Sequence, residues 1–197
     1  MKLYRPATVV IGVIFVLLGG LTRLGEPEQV FDKQDRVVTS GTIGEELEYG
    51  DSKLTITRMR FVKSFQADES DDKMVQTKGI FVAIEYDAVR GGKDPGTNSV
   101  MLRADGGSVY EPVTEVIGDS VSFPEPGFAQ TGAFVFEVNP ADVTGLTFYL
   151  KRTQFFNSLA QDLSIDLAVP SEEIAQRSID GAADEYVMPD ETTRVAE

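Results

Sequence analysis

Two groups of carboxylates carry whatever chemistry this sequence offers. The first is Asp68, Glu69, Asp71 and Asp72, crowded into five positions of the segment from Gln66 to Thr77. Calcium takes roughly six to eight oxygen ligands, so the cluster is a candidate calcium site, the more so with Asp87 or Asp94 approaching from a neighbouring loop. It lacks the glycine that turns an EF-hand loop, and the competing reading is a solvated loop tip. The second group is Glu85 and Asp87, which fall on one face of an extended chain about 7 Å apart by strand rise. Paired carboxylates serve as acid and base in glycoside hydrolysis, so a hydrolase is one reading of the pair. Ordinary solvent-facing strand residues are the other.

Composition narrows the choice. The chain has no cysteine and no histidine, which removes disulfides, thiolate sites, a lipid-modified cysteine, the usual zinc ligand and every Ser-His-Asp or Cys-His arrangement. No catalytic residue is assigned, and no cofactor beyond the calcium expectation at Asp68, Glu69, Asp71 and Asp72. With 32 acidic against 18 basic residues the formal charge is -14. Such a surface repels phosphates and excludes a nucleic-acid partner. Its first meaning is solubility, its second an attraction for cations or basic partners. The hydrophobic fraction of 42% and charged fraction of 25% are those of a globular protein, and the length suits one domain plus accessories.

The N-terminus supplies an accessory. Lys2 and Arg5 precede an uncharged run from Pro6 to Thr22 whose apolar heart is Ala7 to Leu21. The run is near the short limit for a spanning helix and also fits the apolar region of a signal peptide. Gly19-Gly20 is followed by Leu21-Thr22-Arg23-Leu24, without small residues of the Ala-x-Ala kind. The reading is therefore an uncleaved anchor over residues 1–22, with secretion after cleavage as the alternative. The positive-inside rule puts the N-terminus in the cytoplasm and the rest of the chain outside the membrane. Residues 23–38, with Gly25, Pro27 and many charges, read as a tether.

The rest must position the carboxylates, and it reads as strands. Lys78 to Asp87 alternates Ile80, Val82, Ile84 and Tyr86 against Phe81 and Ala83, apolar on both faces, and so belongs mid-sheet. Val37 to Ile43 is a first edge strand. Lys53 to Phe65 starts with Leu54 and Ile56 inward and continues with Met59, Phe61 and Phe65, so one extra residue near Thr57 and Arg58 makes a β-bulge that bends the strand. Val100, Leu102 and Ala104, the turn Asp105-Gly106-Gly107, and a return with Val109 inward form a hairpin. In the loop that follows, Phe123 and Phe128 tuck under and cap the core. Phe134, Phe136 and Val138, then Leu146, Phe148 and Leu150, then Leu163, Ile165, Leu167 and Val169 define the last inward faces. Seven or eight short antiparallel strands over residues 39–170 predict a β-sandwich.

Beyond Pro170, residues 171–197 carry eight acidic and two basic residues. Ser171-Glu-Glu-Ile starts a short helix, since serine caps and glutamates suit a helix N-terminus. The remainder reads as a disordered acidic tail, in which Glu185-Tyr-Val-Met-Pro189 has the look of a short binding motif.

Tyr49-Gly-Asp51 before a long strand, Lys78-Gly-Ile-Phe-Val82, Leu102-Arg-Ala-Asp-Gly106 with Tyr110, Pro126-Gly127 and Phe136-Glu-Val138 together resemble the telokin-like family of bacterial extracellular domains of unknown function. The likeness covers roughly Ser40 to Pro170. It implies an all-β, antiparallel, immunoglobulin-like β-sandwich that is secreted or membrane-tethered, and it supplies no catalytic residues. Many members bear a lipid-anchoring cysteine; its absence here leaves anchoring to the N-terminal helix.

The expectation is thus a non-enzymatic, membrane-anchored extracytoplasmic interaction module of unknown ligand, with membrane contact through residues 7–21 and an unknown protein or cell-wall partner. The alternatives are an accessory subunit of a membrane complex, whose helix is the working part, and a carboxylate-based hydrolase.

Overall fold

In the computed structural model, residues 36–67, 74–113, 117–153 and 160–196 are described below. In chain order they form β1 (Arg36–Thr42), β2 (Glu46–Tyr49), β3 (Ser52–Gln66), β4 (Val75–Val89), β5 (Asn98–Arg103), β6 (Val109–Tyr110), β7 (Phe128–Val138), β8 (Thr147–Arg152), β9 (Ala160–Asp166), a helix α1 (Glu172–Asp180), β10 (Tyr186–Val187) and β11 (Thr192–Val195). One sheet runs β1-β9-β8-β5-β6. The other runs β10-β3-β4-β7-β11, with β2 also paired to β3.

The two sheets pack as a β-sandwich. Ile80, Val82, Ile84 and Tyr86 of β4 meet Phe134, Phe136 and Val138 of β7 and, from the first sheet, Leu102, Phe148, Leu150, Leu163 and Ile165. Phe136 and Phe148 are fully buried and meet edge-on with centroids 6.4 Å apart. Each such side chain contributes roughly 2 kcal/mol by leaving water, which makes this layer the main source of stability. Gly132 on β7 is required by close approach, because a Cβ there would lie 2.5 Å from the Tyr86 hydroxyl. The expected hairpin is present: β5 pairs with β6 through Leu102 and Tyr110, and Gly107 turns it at a φ of +88°. Tyr110, not Val109, packs on the core; Val109 is 54% exposed.

The expected bulge lies where the phase shift puts it. The β3–β4 register slips between Ile56 and Arg58, and a second time between Val62 and Ser64. The second slip was not read from the sequence, and it carries Phe65 away from Phe61 into an outer cluster with Val62, Phe81, Ala83, Val135 and Tyr186. Together the bulges bend the hairpin over its own outer face. Seven residues of straight strand, about 23 Å, would separate Arg58 from Phe65. Yet Tyr186, which pairs with Phe65, sets its hydroxyl 3.3 Å from the carboxylate of Glu85, the partner of Arg58.

Three expectations need correction. Among the described residues nine strands, not seven or eight, precede Pro170 and two more follow it, and they are not all antiparallel: β1 runs parallel to β9 and β10 parallel to β3. Strand β1 starts at Arg36, inside the stretch 23–38 read as a tether, and pairs along the edge of β9. Residues 171–197, expected to be a disordered tail after the helix start, instead supply α1, β10 and β11. Their sparse apolar residues are spaced to dock: Ile174, Ala175 and Ile179 on the main core, Tyr186 and Met188 on the outer cluster. Ser171 caps α1 as predicted, its hydroxyl accepting from the Ile174 N–H.

The expected anchor at residues 1–22, including the membrane-contacting run 7–21, lies outside the described residues. Among the described residues no helix is long and apolar enough to cross a membrane.

Candidate functional site

Strand β4 does hold Glu85 and Asp87 on one face, as its alternation requires, but each is tied to a cation. Glu85 lies 3.5 Å from the guanidinium of Arg58 and accepts from the Tyr186 hydroxyl. Asp87 receives two parallel N–H bonds from Arg194 of β11, at 2.8 and 2.6 Å. A bidentate arginine fork is the strong form of this interaction. Acid–base work needs a carboxyl open to a substrate in a cleft. This pair instead fastens the C-terminal segment to the middle of the sheet.

The four carboxylates of the calcium expectation, Asp68, Glu69, Asp71 and Asp72, lie outside the described residues. Of the helpers considered for them, Asp87 is held by Arg194 and Asp94 accepts from the Gly96 N–H within its own loop. Among the described residues no group of three or more acidic side chains is placed to hold a metal ion. A smaller polar cluster fixes the hairpin tip, where Asp142 accepts from Tyr110 at 2.7 Å and from Ser108 at 2.8 Å. Those two hydroxyls hold the Asp142 carboxyl below the usual range. In the following loop Phe123 stacks on buried Tyr49 at 5.8 Å, as the capping reading expects, whereas Phe128 is 39% exposed.

A concave feature is found where strand β3 meets the C-terminal segment. A groove of about 520 Å³ is lined by Met59, Arg60 and Phe61 of β3, by Arg177 and Ser178 of α1, and by Gly181 and Ala183. Local physics builds each wall. Strand β2 reaches only as far as Thr55, where its first residue Glu46 pairs, so β3 from the bulge at Thr57 onward has no β2 partner. Helix α1 stops at Gly181, whose N–H closes the last turn on the Arg177 carbonyl at 3.0 Å. The chain then drops onto β3, where Ala183 bridges Val62. Lys63 and Asp184 pin that crossing with a 2.7 Å ion pair, which holds the Asp184 carboxyl below its usual range. Behind it Tyr186 is buried, and burial followed by the nearby Glu85 pushes its phenol well above the ordinary value.

The groove residues Arg177, Ser178, Gly181 and Ala183 were not read from the sequence. The signals for them were the Ser171 cap and the Glu173 to Arg177 spacing, which put a helix of definite length before the Gly181 stop.

No protein-family model matches the chain, and no curated protein matches it either. Among solved structures it is similar to the yjhA protein from Bacillus subtilis, with 15% identity and a TM-score of 0.45 over 64% of this chain and 99% of that one. It is also similar to an uncharacterized beta-sandwich protein from Clostridium difficile, with 15% identity and a TM-score of 0.41 over 72% of this chain and 99% of that one. Neither likeness carries an argument about function.

Proposed function

We propose that this chain is a non-enzymatic, membrane-anchored extracytoplasmic interaction module, and that its sandwich is of the immunoglobulin-like, telokin-like kind. The observation that carries the reading is the groove: a concavity lined by the apolar Met59 and Phe61 and by the two arginines Arg60 and Arg177, on a protein otherwise strongly acidic. Sites of this composition bind by contact and charge. The anchor part of the reading rests on Lys2 and Arg5 before the apolar run Ala7 to Leu21. The commitment of Glu85 and Asp87 to arginines favours it over the hydrolase.

The test uses the full chain in its native membrane. Because the sequence has no cysteine, Val109→Cys gives a single label site at an exposed hairpin tip. A membrane-impermeant maleimide is expected to label it in intact cells. A photo-crosslinking residue at Ser178 is expected to give a discrete adduct, and one at Val109 none. Labelling only after lysis, or no adduct from Ser178 or from any other exposed position, would overturn the reading.

A further inference from the structure

The groove lies beside a break in an otherwise occupied sheet edge. Along the outer side of β3, β2 pairs with Ser52 to Thr55, and Gly44 then donates to the Ile56 carbonyl at 2.9 Å. Cover resumes where Ala183 donates to the Phe61 carbonyl at 3.0 Å and accepts from the Lys63 N–H at 2.9 Å. Strand alternation fixes what lies between: residues 59, 61 and 63 aim their backbone groups to this side, and 58, 60 and 62 aim theirs at β4. Met59 N–H, Met59 C=O and Phe61 N–H therefore face the groove, and among the described residues no hydrogen bond from another element reaches them.

The break has a definite length and charge. From Ile56 to Phe61 is about 16 Å of strand, room for three or four residues of a partner. Gly44 at one end and Ala183 at the other close it, so it cannot seed the open-ended sheet growth that a long bare edge invites. Arg60 is exposed and has no ion pair among the described residues. Among the described residues Arg177 is paired only with Glu173 one helical turn away, with side chains 74% and 82% exposed. A pair that exposed is worth about 0.5 kcal/mol or less and is readily exchanged for another carboxylate.

Resting on the interaction-module reading, we propose that this break is a docking slot for a short extended segment of a partner protein, added as a strand to β3. Alternate side chains of that segment divide the work. Apolar ones settle on Met59 and Phe61, and an acidic one meets Arg60 and Arg177. The backbone supplies affinity through the three open groups, and the arginines supply the preference for acid.

The test is a fluorescent capped peptide of alternating valine and glutamate, titrated against the full chain in nanodiscs. Saturable binding is expected with a Kd of about 1 mM or tighter. N-methylating the peptide at one set of alternate residues should abolish binding, and methylating the other set should leave it, since only one side of a strand pairs. Arg60→Glu and Arg177→Gln, both at exposed positions, should each weaken binding about tenfold, the first without changing the melting temperature and the second lowering it by no more than about 2 °C through the lost Glu173 pair, and a lysine-for-glutamate peptide should not bind. Absence of saturation, equal tolerance of both methylation patterns, or indifference to the arginine substitutions would overturn the slot. A Ser178 adduct found together with any of those results would leave the module reading standing and remove only this one.

Discussion

Replacing Tyr186 with alanine is expected to cost about 3 kcal/mol of folding stability, the size of loss typical of a buried aromatic. The sequence alone gives no such expectation, since Tyr186 sits among Asp184, Glu185 and Asp190 in a stretch that reads as disordered. In the folded chain its ring is only 5% exposed and packs with Val62, Phe65, Phe81, Ala83 and Val135 on the outer face of the sheet. Removal leaves that apolar cluster facing a void or water. It also frees Glu85 from the tyrosine hydroxyl, although the 3.3 Å bond is a smaller matter, and Tyr186→Phe should cost about 1 kcal/mol. For a domain of this size the alanine change corresponds to a fall of roughly 9 °C in Tm. Unchanged melting in Tyr186→Ala would mean that the C-terminal segment contributes nothing to the fold.

The second large effect is expected at Asp162. Its side chain is 5% exposed, and it accepts from Arg36 through both oxygens at 2.8 Å and from the Arg152 backbone N–H at 3.1 Å. These contacts join the first residue of β1 to β8 and β9, which is how the parallel edge strand is clamped. Cutting a buried pair on one side leaves the other charge without its partner and costs about 3–5 kcal/mol. Arg36 is 32% exposed, so water recovers part of that, and about 3 kcal/mol is expected for Asp162→Ala. Asp162→Asn keeps an acceptor for the Arg152 N–H and should cost about half as much. Denaturant unfolding of both variants checks the order: a loss in the asparagine variant equal to that in the alanine variant would mean that the ion pair, not the backbone acceptor, accounts for the whole effect.

The strands that form the core were legible because burial on one face writes a period of two into the chain. Phe134 with Phe136 and Leu163 with Ile165 could be read in no other way, and the slip at Thr57 was visible as a break in that period. The slip at Lys63 was not, because Val62 and Phe65 are both apolar and Tyr186, which closes the cluster over them, comes from more than a hundred residues later. Long separation from their partners also hid β10 and β11. Each is too short to show a period, and their partners on β3 and β7 supply the pairing that propensity does not. Of the site, the carboxylate pair on β4 was placed correctly, yet its role depended on Arg58, Tyr186 and Arg194, which only the folded chain brings to it. The groove was illegible for the same reason: it is made of a missing strand partner, and sequence records residues, not gaps between them.

Native-state amide hydrogen exchange on the full chain tests the central claim, that β2 with Gly44 on one side and the C-terminal segment on the other cover the edge of β3 and leave an open slot between them. The N–H groups of Lys63 and Ala183 are expected to exchange slowly, near the rate set by global unfolding, and those of Met59 and Phe61 far faster although they belong to the same long strand. Fast exchange at Lys63 and Ala183 would contradict the docking of the segment. Slow exchange at Met59 and Phe61 would show that the edge is already filled and that there is no slot to occupy.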